Sequence, residues 1–187
     1  MAIAYQNLQR EVFLGPDRTA YAVLDGAAAG PVLLEQLQRH QPPHVCLFSG
    51  ELAPELAAAA PYLVQLDPES AFTAFVLGNG WDQHWGIIAS VPAQVPFRSL
   101  RGHFRSFLRV RGPDDDVLLF RYYDPRVFRA YLPTCDAEEL AAVYGPVGSY
   151  AMEGAAPETL VRFRLGPEAT LQETVVSLAE RPSATRA

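Results

Sequence analysis

Five short segments of almost unbroken apolar character, each bounded by turn or helix signals, constrain this 187-residue chain most strongly. They cover residues 19–24, 45–48, 62–66, 85–90 and 117–123. Runs of this length between turns read as strands buried on both faces. Helix signals lie between them. Pro31 opens a stretch carrying Val32, Leu33, Leu34 and Leu37 that must end before Pro42 and Pro43. Residues 54–60 read as a short helix. Asp67 and Pro68 supply a cap and a first helical position for a helix through Phe72 and Val76 that stops at Gly78-Asn79-Gly80. Residues 97–109 read as a long amphipathic helix, and Asp124-Pro125 starts another. Strands alternating with helices predict an α/β class: a layered domain with a mostly parallel sheet flanked by helices. This domain spans residues 1–135, with 1–18 as a lead-in. Residues 136–187 read as a small C-terminal α+β extension. It comprises a helix from Asp136 to Gly145, two short strands near 147–152 and 159–165, and a disordered tail from Arg181.

Composition narrows the function classes. A net charge of −6 argues against general binding to nucleic acid or anionic membranes. The chain has 15 basic residues and no lysine, so every fixed positive charge is an arginine. Codon usage of a high-GC genome explains this, as does the suitability of arginine for interface contacts. Cys46 and Cys135 have no CxxC partner and read as small apolar residues in a reducing compartment. No leader peptide and no run of about 20 apolar residues is evident, so a cytoplasmic location is expected.

Catalytic signatures are missing. There is no nucleophile elbow, P-loop or zinc-protease motif, and Gly78-Asn79-Gly80 follows a helix where a dinucleotide fingerprint follows a strand. His40 and His44 have helical ligand spacing, but Pro42 and Pro43 between them break the helix. Asp114, Asp115 and Asp116 read as a solvated turn. No metal or cofactor is expected. His103, in an arginine-rich helix, is the best candidate base, against a local packing role.

Three features rise above this background. On the predicted helix 97–109, Phe97, Leu100, Phe104, Phe107 and Leu108 form the core stripe. Arg98, Arg101, Arg105 and Arg109 form a ridge beside it, suited to an acidic partner segment or to solvent. Arg121, Tyr122, Tyr123, Asp124 and Arg126 crowd a strand-to-helix junction. In a parallel sheet that is where ligands bind, although Asp124 also serves as an N-cap. Trp85 is expected to face the core, and Trp81 to be a partly exposed interface anchor.

In this order, Tyr21-Ala-Val-Leu-Asp-Gly26, Pro61-Tyr-Leu-Val-Gln-Leu66, Gly80-Trp-Asp-Gln-His-Trp-Gly86, Leu100-Arg-Gly-His-Phe-Arg105 and Phe120-Arg-Tyr-Tyr-Asp-Pro-Arg-Val127 resemble the type VI secretion effector-chaperone family, the Tap or TEC adaptors. The resemblance covers about residues 19–135. It implies a non-catalytic adaptor that binds a cognate effector toxin in the cytoplasm and helps load it onto VgrG or a PAAR-type spike protein. Arg101, His103, Arg105, Arg121, Tyr122, Asp124, Pro125 and Arg126 sit in its motifs, as binding or fold-determining residues. The alternative is a small α/β enzyme that clamps an anionic substrate with Arg101, Arg105 and Arg121, with His103 as base. Its four side chains must converge in one pocket. Nucleic-acid binding through the arginine ridge is a third reading.

Overall fold

The computed structural model describes residues 4–112, 114–156 and 158–179. Seven strands make one sheet: β1 (Arg18–Asp25), β2 (His44–Cys46), β3 (Pro61–Leu66), β4 (Gly86–Pro92), β7 (Ser149–Glu153), β8 (Thr159–Leu165) and β9 (Leu171–Ser177). Their order is β2-β3-β1-β4-β7-β8-β9. Every neighbouring pair is antiparallel, with Ala22 opposite both Val64 and Ile88 at the centre. The expected mostly parallel sheet is therefore corrected to an antiparallel one. The apolar runs have another cause: this antiparallel sheet is covered by helices on both faces.

Alternate residues of each central strand enter different cores. On one face Tyr21, Val23, Leu63, Ile87, Ala89, Tyr150 and Phe163 pack against α6 (Phe97–Ser106), α7 (Pro125–Tyr131) and α8 (Ala137–Tyr144). On the other face Ala20, Ala22, Leu24, Val64, Leu66 and Ile88 meet α1 (Tyr5–Val12), α3 (Val32–His40) and α5 (Ala71–Gly80). Two short helices, α2 (Gly26–Ala29) and α4 (Pro54–Ala59), lie beside the ends of β1 and β3. Gly26 and Gly86 mark close backbone approaches. A Cβ at Gly26 would lie 2.4 Å from the Ala58 carbonyl oxygen, and one at Gly86 2.3 Å from that of Val23.

Local capping follows the chemistry of the ends, with one shift. The Ser70 side chain caps α5 by accepting from Phe72 N–H, while Asp67 closes the preceding turn by accepting from Glu69 N–H. Asp124 caps α7 as expected. Asp136 and Glu139 form a reciprocal capping box on α8. Residues 136–179, expected as a C-terminal extension, supply β7, β8 and β9 to the common sheet, and β7 pairs directly with β4. The expected disordered tail lies outside the described residues.

The region between α6 and α7 departs furthest from expectation. The helix stops at Ser106, so Arg109 leaves the ridge. A separate two-stranded hairpin pairs β5 (Arg109–Arg111) with β6 (Val117–Leu119). Asp114, Asp115 and Asp116 are exposed around its turn, with Asp115 paired to Arg111. The expected fifth sheet strand is thus a three-residue hairpin strand, and Tyr122 and Tyr123 follow it in a buried turn.

Candidate functional site

Two regions gather the side chains with chemical potential. The first is the outer surface of α6. Its inner stripe places Leu100 and Phe104 in the core and stacks Phe97 on Tyr21 at 5.8 Å. Arg98 and Arg101 are exposed and Arg105 half-exposed; with Gly102 and Ser106 they line one shallow groove. Among the described residues none of these three arginines forms an ion pair, whereas Arg111, Arg121, Arg126 and Arg162 each meet a carboxylate. The ridge therefore presents uncompensated positive charge in a protein of net charge −6.

Arg105 also lines a larger trough of about 640 Å³ at the C-terminal end of α6. Leu47, Phe48, Leu52 and Leu56, from the segment between β2 and α4, line it together with Leu108, Arg109 and the hairpin residues Val117, Leu118 and Leu119. The hairpin wall is unusually bare: Val117 is 66%, Leu118 44% and Leu119 49% exposed. These three residues read as a buried strand in the sequence. Only their pairing with β5, away from the main sheet, turns them outward, so the trough was not legible.

The second region is the 121–126 junction, where the structure places expected site residues in the framework. Asp25 is 1% exposed and caps α2 by accepting from Ala27 and Ala28 N–H; Arg121 donates to its other oxygen. Asp124 accepts from Arg126 through backbone N–H at 2.9 Å and through guanidinium nitrogens at 3.0 and 2.7 Å. Burial by itself would raise the Asp124 pKa, but these hydrogen bonds and the Arg126 and Arg121 charges hold it below the ordinary value. Tyr122 is wholly buried and donates its hydroxyl to the Phe104 carbonyl at 2.7 Å, near the end of α6. Tyr123 is buried beside the Asp25–Arg121 pair. Burial first, then the negative charge of Asp25, pushes its pKa to about 12.

Sequence reasoning missed the adjoining carboxylates. Buried Glu153 accepts from His84 N–H at 3.0 Å and lies 2.6 Å from His84 Nδ1, while Arg129 donates to the Glu153 carbonyl. Burial raises the Glu153 pKa, with His84 opposing the shift. Asp25 and Glu153 stand at strand ends in unremarkable contexts, so only the assembled sheet shows that they neighbour the junction.

His103 points inward. Its Nε2 lies 3.0 Å from the Val143 carbonyl, and its ring packs edge-on to Phe104 and Phe107. With His103 engaged by α8 and Arg121 by Asp25, the four-residue anion clamp is not assembled; Arg101 and Arg105 alone share a groove. Burial lowers the His103 pKa below 6.5, against the opposing backbone hydrogen bond. The unfolded chain then binds more protons, so this contribution to stability is complete above about pH 6.5 and is lost as pH falls. Acidification from pH 7 to 5 is expected to destabilise the wild type more steeply than His103→Gln, by at most about 1.4 kcal/mol per pH unit. Urea titrations at each pH measure the difference, and parallel slopes would contradict it.

Trp81 is half-buried against Phe75 and Trp85, at the edge of the second core, and its Nε1 has no hydrogen-bond partner among the described residues. Trp85 packs on Phe75 with ring centroids 5.6 Å apart. Cys46 and Cys135 are free thiols of intermediate burial. Among the described residues no cluster of three His, Cys, Asp or Glu side chains is arranged to hold a metal, and no helix is long and apolar enough to cross a membrane.

In comparisons with known proteins, residues 20–142 match the family model described as Domain of unknown function (DUF4123). No curated protein and no solved structure matches the chain. The matched span runs from β1 into α8 and contains the arginine ridge, the trough and the 121–126 junction. It covers well over half of the 187 residues, so the chain belongs to the DUF4123 family, a domain family associated with type VI secretion effector adaptors.

Proposed function

We propose that this protein is a cytoplasmic adaptor that binds a cognate type VI secretion effector and helps load it onto a VgrG or PAAR-type spike, without catalysis of its own. The observation that carries this reading is the family match over residues 20–142. The surface chemistry supports it. Three arginines on one face of α6 have no ion-pair partner among the described residues, in a chain with an excess of carboxylates. A partner that brings acidic groups to this face gains charge-assisted hydrogen bonds and a faster, oriented encounter. The 121–126 residues serve this function indirectly, by fixing α7 and the end of α6.

The test is co-expression of the tagged chain with the effector and spike proteins encoded beside it, followed by size exclusion. A discrete complex with the effector is expected. The triple substitution Arg98→Glu, Arg101→Glu and Arg105→Glu should weaken it at least tenfold and leave the thermal unfolding midpoint within a few degrees. Absence of a complex with every neighbouring product would refute the adaptor reading.

A further inference from the structure

The arginine ridge and the apolar trough are one continuous surface, because Arg105 lines both. Arg105 and Arg109 are the charged residues lining the trough, and Arg101 and Arg98 continue the positive line along α6. At 1.5 Å per residue, Arg98 and Arg105 are separated by about 10 Å along the helix axis. The trough itself combines apolar side chains from two distant chain segments, residues 47–56 and 117–119, with Leu108. Its hairpin wall is held mainly by strands paired to each other, and a two-stranded ribbon gains little stability alone. A large exposed apolar patch with a polar rim is the usual signature of an interaction surface.

We infer that this surface seats a short amphipathic peptide segment of the partner. Two or three large apolar side chains of the segment fill the trough, and Asp or Glu residues follow along the next 10 Å or so, on Arg105, Arg101 and Arg98. The inference rests on the adaptor reading and specifies the part of the partner that is recognised. Charge selects a peptide of this kind over an anionic bilayer. The exposed turn of the hairpin carries Asp114, Asp115 and Asp116, which would be driven against the lipid headgroups if Val117, Leu118 and Leu119 inserted. A second copy of the chain is disfavoured for the same reason that an acidic peptide is favoured: it would bring this arginine line and hairpin to an identical one in a two-fold contact.

The probe is a library of random 12-residue peptides displayed on phage and panned on the full-length chain. Enrichment of sequences that join an apolar cluster to a run of Asp or Glu is expected. A fluorescein-labelled consensus peptide should bind at least tenfold more weakly to Leu118→Ser/Leu119→Ser, and likewise to Arg105→Glu/Arg109→Glu. Its Asp and Glu residues changed to Lys should abolish binding. Exposure of Leu118, Leu119 and Arg109 predicts folded variants, checked by thermal melting, and Arg109→Glu alone serves if an apolar variant fails to fold. No enriched class, enrichment without acidic residues, or equal affinity in both variants overturns the inference. So does trough-dependent sedimentation with phosphatidylglycerol vesicles, or a dimer that Leu118→Ser dissociates. An effector complex that survives both variants removes the trough and leaves the adaptor reading intact. Peptide binding without any effector complex does the reverse.

Discussion

Replacing Tyr122 with alanine is expected to lower the unfolding free energy by about 3–5 kcal/mol, the range for deleting a buried aromatic ring. Tyr122 lies at the centre of an aromatic cluster. Its ring centroid is 4.3 Å from Phe107, 5.5 Å from Tyr123, and 6.0 Å from both Phe120 and Phe128, and it stacks on Phe104 at 6.2 Å. These side chains come from the C-terminal end of α6, from Phe120 and the buried turn after β6, and from α7, so the cavity would loosen three regions together. Tyr122→Phe should cost about 1 kcal/mol, because it removes only the hydrogen bond to the Phe104 carbonyl. Urea denaturation of the two variants separates ring from hydroxyl. A Tyr122→Ala loss below about 1 kcal/mol would show that the cluster does not organise this region.

Arg121→Ala is the second large effect, expected at about 2–3 kcal/mol. It leaves the Asp25 carboxylate buried with only the Ala27 and Ala28 N–H groups for compensation. This is below the roughly 3–5 kcal/mol of fully buried pairs, because Arg121 is partly solvated and water can relax around the change. Pairing Arg121→Leu with Asp25→Asn removes both charges while keeping an acceptor for α2, and should cost less than Arg121→Ala alone. If the double variant is the less stable one, the ion pair is not what holds this corner. Either result bears on interface mapping. Arg121 variants alter the framework, so loss of partner binding in them does not locate the contact. The α6 arginines are the residues whose substitution reads the surface.

These expectations show which parts of the molecule were legible. Helices and central strands were placed nearly correctly because their ends carry local chemistry: Pro31 and Pro42 around α3, Asp124-Pro125 at α7, Asp136 and Gly145 around α8. Sheet direction was not legible. Val23 and Leu24 enter opposite cores in β1, and two-sided burial makes any strand look apolar, whether its neighbours run parallel or antiparallel. The edge strand β9 escaped notice because Gln172, Glu173, Thr174 and Val175 are all exposed and leave no periodic signal. α1 escaped for lack of a side-chain cap on Ala4. At the candidate site, the Arg98, Arg101 and Arg105 ridge followed from helical spacing alone. The trough did not, because it depends on where α6 stops and on a hairpin whose residues resemble a core strand.

The sheet also separates two lengths of chain that are easily equated. The region recognisable as DUF4123 ends at residue 142, inside α8. The strand on the far side of β4 from β1, however, is β7, beyond that limit, and Tyr150, Met152 and Phe163 complete the core under α6 and α7. A chain trimmed to the recognisable region would expose the N–H and C=O groups of Ile88 and Ser90, which face β7, along a raw apolar border, an invitation to pair with other molecules. The family signature and the folded sheet therefore have different lengths, and the surface borne by the first rests on strands supplied by the second.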